Sequence, residues 1–173
     1  MTPMNRLLLI LLSLGPVAAS LHAQPVSSAS VSVVVEALPP RILPGASGKL
    51  ILTLVIAPGW HINAFGASGE NVIPTEFAWS PPPGFTVTRI QYPNGEPVKV
   101  AFQDDPLVAY QDEVQIVVDF KVGDTVKPGT VPLVGEVAVQ ACSDEVCLAP
   151  SDLPVNASVD VLRPIRLKRK PPR

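Results

Sequence analysis

Twenty-one prolines and eleven glycines are spread through 173 residues. This punctuation constrains the chain more than any other feature. A proline inside a helix removes a backbone hydrogen bond and clashes with the preceding turn. Few stretches after Ala23 show helical spacing, and prolines interrupt most of them. Between the breaks lie β-branched runs of alternating polarity, at residues 31–38, 49–57, 75–79, 85–91, 98–102, 114–122, 131–140 and 155–162. In 114–120 and 156–161 apolar residues fall on every second position over part of the run, the period of a half-buried strand. Pro44-Gly45-Ala46-Ser47-Gly48 and Pro81-Pro82-Pro83-Gly84 read as turns, and residues 24–30 as a Ser-rich lead-in. Roughly seven to nine short strands with frequent turn signals predict an all-β fold, an antiparallel β-sandwich of immunoglobulin type. No internal repeat is visible.

The first 23 residues have one early Arg6, an apolar run from Leu7 to Leu14, then small residues. That is the pattern of a secretory signal peptide, too short to span a bilayer as a stable helix. With cleavage between Ala23 and Gln24, about 150 residues remain, enough for one domain with its own core. Gln24 is not a cysteine, so the signal does not read as a lipoprotein anchor. No later apolar run approaches the roughly 20 residues of a membrane helix. The expected product is exported and soluble, periplasmic in a cell with two membranes, with its domain at 24–162 and a basic tail at 163–173. The tail holds Arg163, Arg166, Lys168, Arg169, Lys170 and Arg173 and no acid. Setting aside those six and Arg6 from thirteen Lys and Arg leaves six bases against fifteen acids in the domain, a charge of −9 beside a tail of +6. An acidic body argues against nucleic acid as ligand. The tail reads as a solvated end, with anionic lipid or an acidic partner as the alternative.

Only two cysteines occur, Cys142 and Cys147, in Gln140-Ala141-Cys142-Ser143-Asp144-Glu145-Val146-Cys147-Leu148-Ala149-Pro150. In an exported chain such a pair either closes permanently or cycles between dithiol and disulfide. Both lie in one segment, so they cannot bridge two sheets as in antibody domains. With 137–141 on a strand and 143–146 as a loop, they face each other across the mouth of a tight hairpin. Opposed Cβ atoms there lie about 4.5–5.5 Å apart, wider than a relaxed disulfide prefers, which makes a bond feasible but easier to reduce. Closing so small a ring restricts the unfolded chain by roughly 2 kcal/mol, against about 4 for a 60-residue loop. Asp144 and Glu145 disfavour a thiolate, and no Lys, Arg or His occurs from 131 to 162. These features suit a pair that exchanges with a partner supplying the attacking thiolate. A local structural clasp in a non-catalytic envelope sandwich is the alternative.

The cysteine segment resembles the active-site segment of the periplasmic N-terminal domain of the DsbD family of thiol:disulfide interchange proteins. Leu52-Thr53-Leu54-Val55-Ile56-Ala57-Pro58-Gly59-Trp60-His61-Ile62-Asn63 is similar to that family's second strand and following turn, and Ile73-Pro74-Thr75-Glu76-Phe77 to the next segment. The resemblance covers most of 31–162. It implies an immunoglobulin-like domain whose cysteines receive electrons from a membrane-embedded, thioredoxin-like relay and reduce periplasmic thiol proteins. It also implies that Cys147 forms the mixed disulfide with partners. An aromatic cap over the cysteines aligns with Phe102, for which a core aromatic ending a strand is the alternative. Tyr110 matches a further family aromatic, read as packing. Two departures stand out. The chain reaches Arg173 without the family's transmembrane helices or thioredoxin domain, so a separate electron donor is expected. His61-Ile62-Asn63 stands where the family is rich in aromatics.

Other chemistries find little support. One histidine, His61, follows the leader. With Cys142 and Cys147 it could supply three soft ligands, but it reads better as a turn residue whose ring bonds to backbone. No metal or other cofactor is therefore expected. No Ser-His-Asp set or phosphate-cradling glycine motif appears. Asn156-Ala157-Ser158 fits a glycosylation sequon but falls in a predicted strand. Asp104-Asp105 and Asp112-Glu113 are expected to face solvent.

Overall fold

The computed structural model describes residues 24–69, 72–101 and 104–164. Apart from a 3-10 turn at Ser27–Ala29, the regular elements among them are strands. In chain order these are β1 (Val31–Leu38), β2 (Arg41–Ile42), β3 (Ser47–Ile56), β4 (His61–Asn63), β5 (Glu76–Trp79) and β6 (Phe85–Gln91). They continue as β7 (Glu96–Val98), β8 (Leu107–Tyr110), β9 (Glu113–Val122), β10 (Gly129–Val139), β11 (Ala141–Cys142) and β12 (Ser151–Val161). The first sheet runs β1-β3-β9-β6, the second β2-β12-β10-β5, and a small third sheet β11-β4-β8-β7. All pairings are antiparallel except β2 with β12. The arrangement is an all-β, immunoglobulin-like sandwich, as the alternation predicts.

The core follows from that alternation. Leu50, Leu52 and Leu54 of β3 and Ile116, Val118 and Phe120 of β9 are fully buried. They meet Leu133 and Val137 of β10 and Val155 and Val159 of β12 from the second sheet. Phe120 links the layers: its ring lies edge-on to Trp79 of β5 at 5.8 Å and tilted against Phe85 of β6 at 5.7 Å. A buried side chain of this size contributes up to about 3 kcal/mol. Gly48 is required beneath it, since a Cβ there would lie 2.6 Å from the Phe120 ring.

The prolines inside strands sit where a missing N–H costs least. Pro132 of β10 pairs with Ser158 but lies outside the stretch 135–138 that also pairs with β5. Pro154 of β12 faces Glu136 and lies away from the two residues that pair with β2. Pro97 is in β7, at the edge of the third sheet. The run predicted at 98–102 is displaced: β7 ends at Val98, where that run was expected to begin. The short strands β2, β4, β8 and β11 are additional to those read from sequence. Asp104, Asp105, Asp112 and Glu113 are exposed, as expected.

Candidate redox site at the cysteine hairpin

The third sheet builds the site. Its inner strand β4 is launched by a tight turn in which the Trp60 N–H donates to the Ala57 carbonyl at 3.1 Å. Pro58 and Gly59 occupy the corners, and Gly59 has φ +80, the left-handed conformation a type II turn requires there. β4 then pairs with β11, setting Ile62 opposite Ala141 and His61 opposite Cys142.

Beyond Cys142 the chain folds back on itself. Leu148 N–H donates to the Ala141 carbonyl and Ser143 N–H to the Val146 carbonyl, each at 2.8 Å. These bonds bracket the Cys142–Cys147 bridge, so the cysteines form a non-hydrogen-bonded pair, the class in which opposed residues approach most closely. Their Cα atoms are 4.0 Å apart and the sulfurs are bonded. The hairpin expected from sequence is therefore present, with both cysteines across its mouth. The turn is also held by the Ser143 hydroxyl, which accepts from the Glu145 and Val146 N–H groups at 3.2 Å.

A second support comes from the N-terminal segment. Val26 bridges Ala149, and the Ser27 N–H donates to the Ala149 carbonyl at 2.9 Å. The Ser27 hydroxyl donates to the same carbonyl at 2.8 Å and accepts from the Ala141 N–H at 2.9 Å. One buried serine thus clamps the residues before Cys142 and after Cys147. Next to it, the Asn63 amide donates to Gln140 Oε1 at 3.0 Å, which also accepts from the Ile73 N–H at 3.1 Å. That contact fixes the crossing from β10 to β11.

The two sulfurs sit in unlike surroundings. Cys142 is 0% exposed, whereas Cys147 is half-buried. Around the turn Asp144, Glu145 and Val146 are exposed. Cys147 is therefore the more accessible residue of the pair.

His61 departs from expectation. It is not a turn residue bonded to backbone but a strand residue, 1% exposed, whose Nε2 has no hydrogen-bond partner. Burial lowers its pKa below 6.5, against a smaller opposing pull from Asp144. Its place beside Cys142 was not read from the sequence, nor were the roles of Ser27, Asn63 and Gln140. A signal for the last two was present: polar residues flanking apolar, β-branched positions next to a cysteine must find partners.

Tyr110 acts in packing, as expected. Its hydroxyl accepts from the Phe65 N–H at 3.1 Å and donates to the Pro93 carbonyl at 3.0 Å, and burial raises its pKa. Phe102 lies outside the described residues. Its neighbour Ala101 donates its N–H to the Asp144 carbonyl at 2.8 Å, which ties that loop to the cysteine turn. The expected leader and most of the basic tail, residues 165–173, also lie outside the described residues. Among the described residues, no three His, Cys, Asp or Glu side chains cluster to hold a metal, and no helix is long and apolar enough to cross a membrane.

The family pattern of the N-terminal region of the thiol:disulfide interchange protein DsbD matches residues 28–157. Among solved structures, the N-terminal periplasmic domain of ScsB from Proteus mirabilis is similar in fold, at TM-score 0.51 and 19% identity over 76% of this chain. This chain spans 47% of that one, under half its length. The N-terminal domain of DsbD from Neisseria meningitidis, in the reduced form, is similar at TM-score 0.44 and 18% identity, over 75% of this chain and 86% of that one. None of the curated proteins compared matches the chain.

Proposed function

We propose that this chain, which belongs to the family of the N-terminal domain of the thiol:disulfide interchange protein DsbD, carries reducing equivalents outside the cytoplasm through Cys142 and Cys147. The observation that carries this reading is the placement of the bond. It joins two residues whose hairpin is already closed by backbone hydrogen bonds on both sides and clamped by Ser27. It ties no distant parts of the fold together, and one of its two cysteines, Cys147, is only half-buried. A bond so placed adds little as a staple and is open to exchange.

Exchange proceeds through a mixed disulfide. A thiolate of the donor attacks Cys147 Sγ, the Cys142–Cys147 bond breaks, and its electron pair passes to Cys142 Sγ. The donor's second thiolate then displaces Cys147. The donor leaves as a disulfide, and this chain holds two thiols after proton exchange with water. The reverse sequence delivers the two electrons to an acceptor disulfide. The half-exposure of Cys147 supports it as the attacked sulfur. The donor is a thioredoxin-like or membrane electron-transfer protein and the acceptors are periplasmic thiol proteins. The leader-like first 23 residues support that location. Phe102 shields the sulfurs between encounters, a role supported by the bond from Ala101 to the cysteine turn.

Incubating the oxidised protein with a thioredoxin-like dithiol under native conditions tests the reading. Rapid, stoichiometric appearance of two titratable thiols is expected. Presented instead with an acceptor disulfide, Cys142→Ser should trap a mixed disulfide on Cys147, while Cys147→Ser should trap little. A bond that survives until the fold melts would leave a structural clasp in place of a carrier.

A further inference from the structure

A row of three side chains crosses the third sheet. His61 opposes Cys142 on one side, and Cys147 opposes Cys142 on the other. Opposed residues of antiparallel strands project to the same face, so an imidazole and two sulfurs share that face with Cys142 in the middle. Cβ atoms of such neighbours lie about 4.5–5.5 Å apart, close enough for the ring to reach the adjacent sulfur.

The imidazole has an unmet requirement. Its Nε2 is buried without a hydrogen-bond partner, and an orphaned polar atom in the interior is costly. In the disulfide form the adjacent sulfur has no proton to give and is a poor acceptor. Reduction changes that sulfur into a thiolate, a strong acceptor, or a thiol, a donor. The orphan is a feature of the disulfide form.

We propose that His61 is the hydrogen-bond partner of Cys142 in the reduced protein and stabilises that sulfur as it leaves the disulfide. The inference deepens the carrier reading and rests on it. When the donor thiolate bonds to Cys147, the electron pair of the broken bond arrives on Cys142, which is sealed from water. A ring N–H of neutral His61 donates to the new thiolate, lowering the pKa of the leaving sulfur and speeding its departure. Burial keeps the ring neutral at pH 7, and Asp144 is the charged group that opposes it. Tyr110 of β8 pairs with Ile62, one residue along, so it projects to the other face. Glu145 lies in the exposed turn.

The test uses the full chain. The imidazole nitrogen signals of His61, identified by their loss in His61→Gln, are recorded by NMR in the oxidised and reduced wild-type protein. A change of tautomer or of nitrogen shift on reduction is expected. In a Cys147→Ser background, the ionisation of Cys142 is followed by thiolate absorbance. It should move up by roughly one pH unit when His61→Phe is added, with His61→Gln, which keeps an N–H donor, in between. Reduction of the disulfide by a small dithiol should slow roughly fivefold in His61→Phe. Imidazole signals that do not change with redox state overturn the proposal, and this readout stands even if His61→Phe fails to fold. A disulfide that is reduced readily while the imidazole stays unmoved removes the role of His61 alone. A wild-type disulfide that resists the small dithiol under native conditions removes the carrier reading, and this inference with it.

Discussion

Burial holds the His61 imidazole below its ordinary value of 6.5, with Asp144 pulling the other way. The unfolded chain therefore binds a proton at a pH where the folded chain does not. The stability associated with this group is complete above about 6.5 and is lost as pH falls through the lower folded value. Urea titrations from pH 8 down to pH 5 should show a falling midpoint, and His61→Gln should flatten that fall. Parallel slopes in the two proteins would assign the titration to other groups. The proposed cap gives a second expectation at this scale. Phe102→Ala should speed alkylation of the reduced cysteines several-fold with little change in melting temperature, and an unchanged alkylation rate would sink the capping role. Cys142 and Cys147 were legible because local spacing alone makes a hairpin, and chemistry singles out a lone pair of thiols behind a leader-like segment. His61 was not legible beside them. Its neighbour is set by the pairing of β4 with β11, two short strands far apart in sequence, and a Trp-His pair after Pro-Gly reads locally as a turn.

The elements divide by length. β3, β9, β10 and β12 run for ten or eleven residues, and several of their alternate positions are buried, so period two was visible in the sequence. β4 is buried at all three positions and β11 at both. A strand covered on both faces, and only two or three residues long, has no alternation to read. Those unreadable strands build the site, while the readable ones build the scaffold beneath it. The clamp between them is Ser27. Ser27→Ala leaves the buried Ala141 N–H without its partner, at a cost of about 1–3 kcal/mol. Chemical denaturation should register that loss, and amide exchange should quicken at Ala141 more than in β3. Uniform exchange across the sandwich would mean that the serine does not act locally.

For the molecule as a whole, the sandwich should stand without its disulfide. The ring that the bond closes is small, so removing it costs about 2 kcal/mol at most. The layers are joined instead by Phe120, Trp79, Phe85 and the leucines of β3. A Cys142→Ala/Cys147→Ala variant should melt in one cooperative transition a few degrees below wild type, with an unchanged far-ultraviolet spectrum. Loss of the fold would return the bond to a structural role. The overall class was legible because prolines and glycines exclude long helices and leave strand-length runs. The third sheet was not, since it forms from remnants between those runs.

The clamp of Val26 and Ser27 against Ala149 also bears on how the protein is handled. Anything fused ahead of Gln24 emerges within a few residues of the cysteine pair. A purification tag or reporter placed there would crowd the approach of other molecules and blur every exchange rate measured, so labels belong elsewhere on the chain.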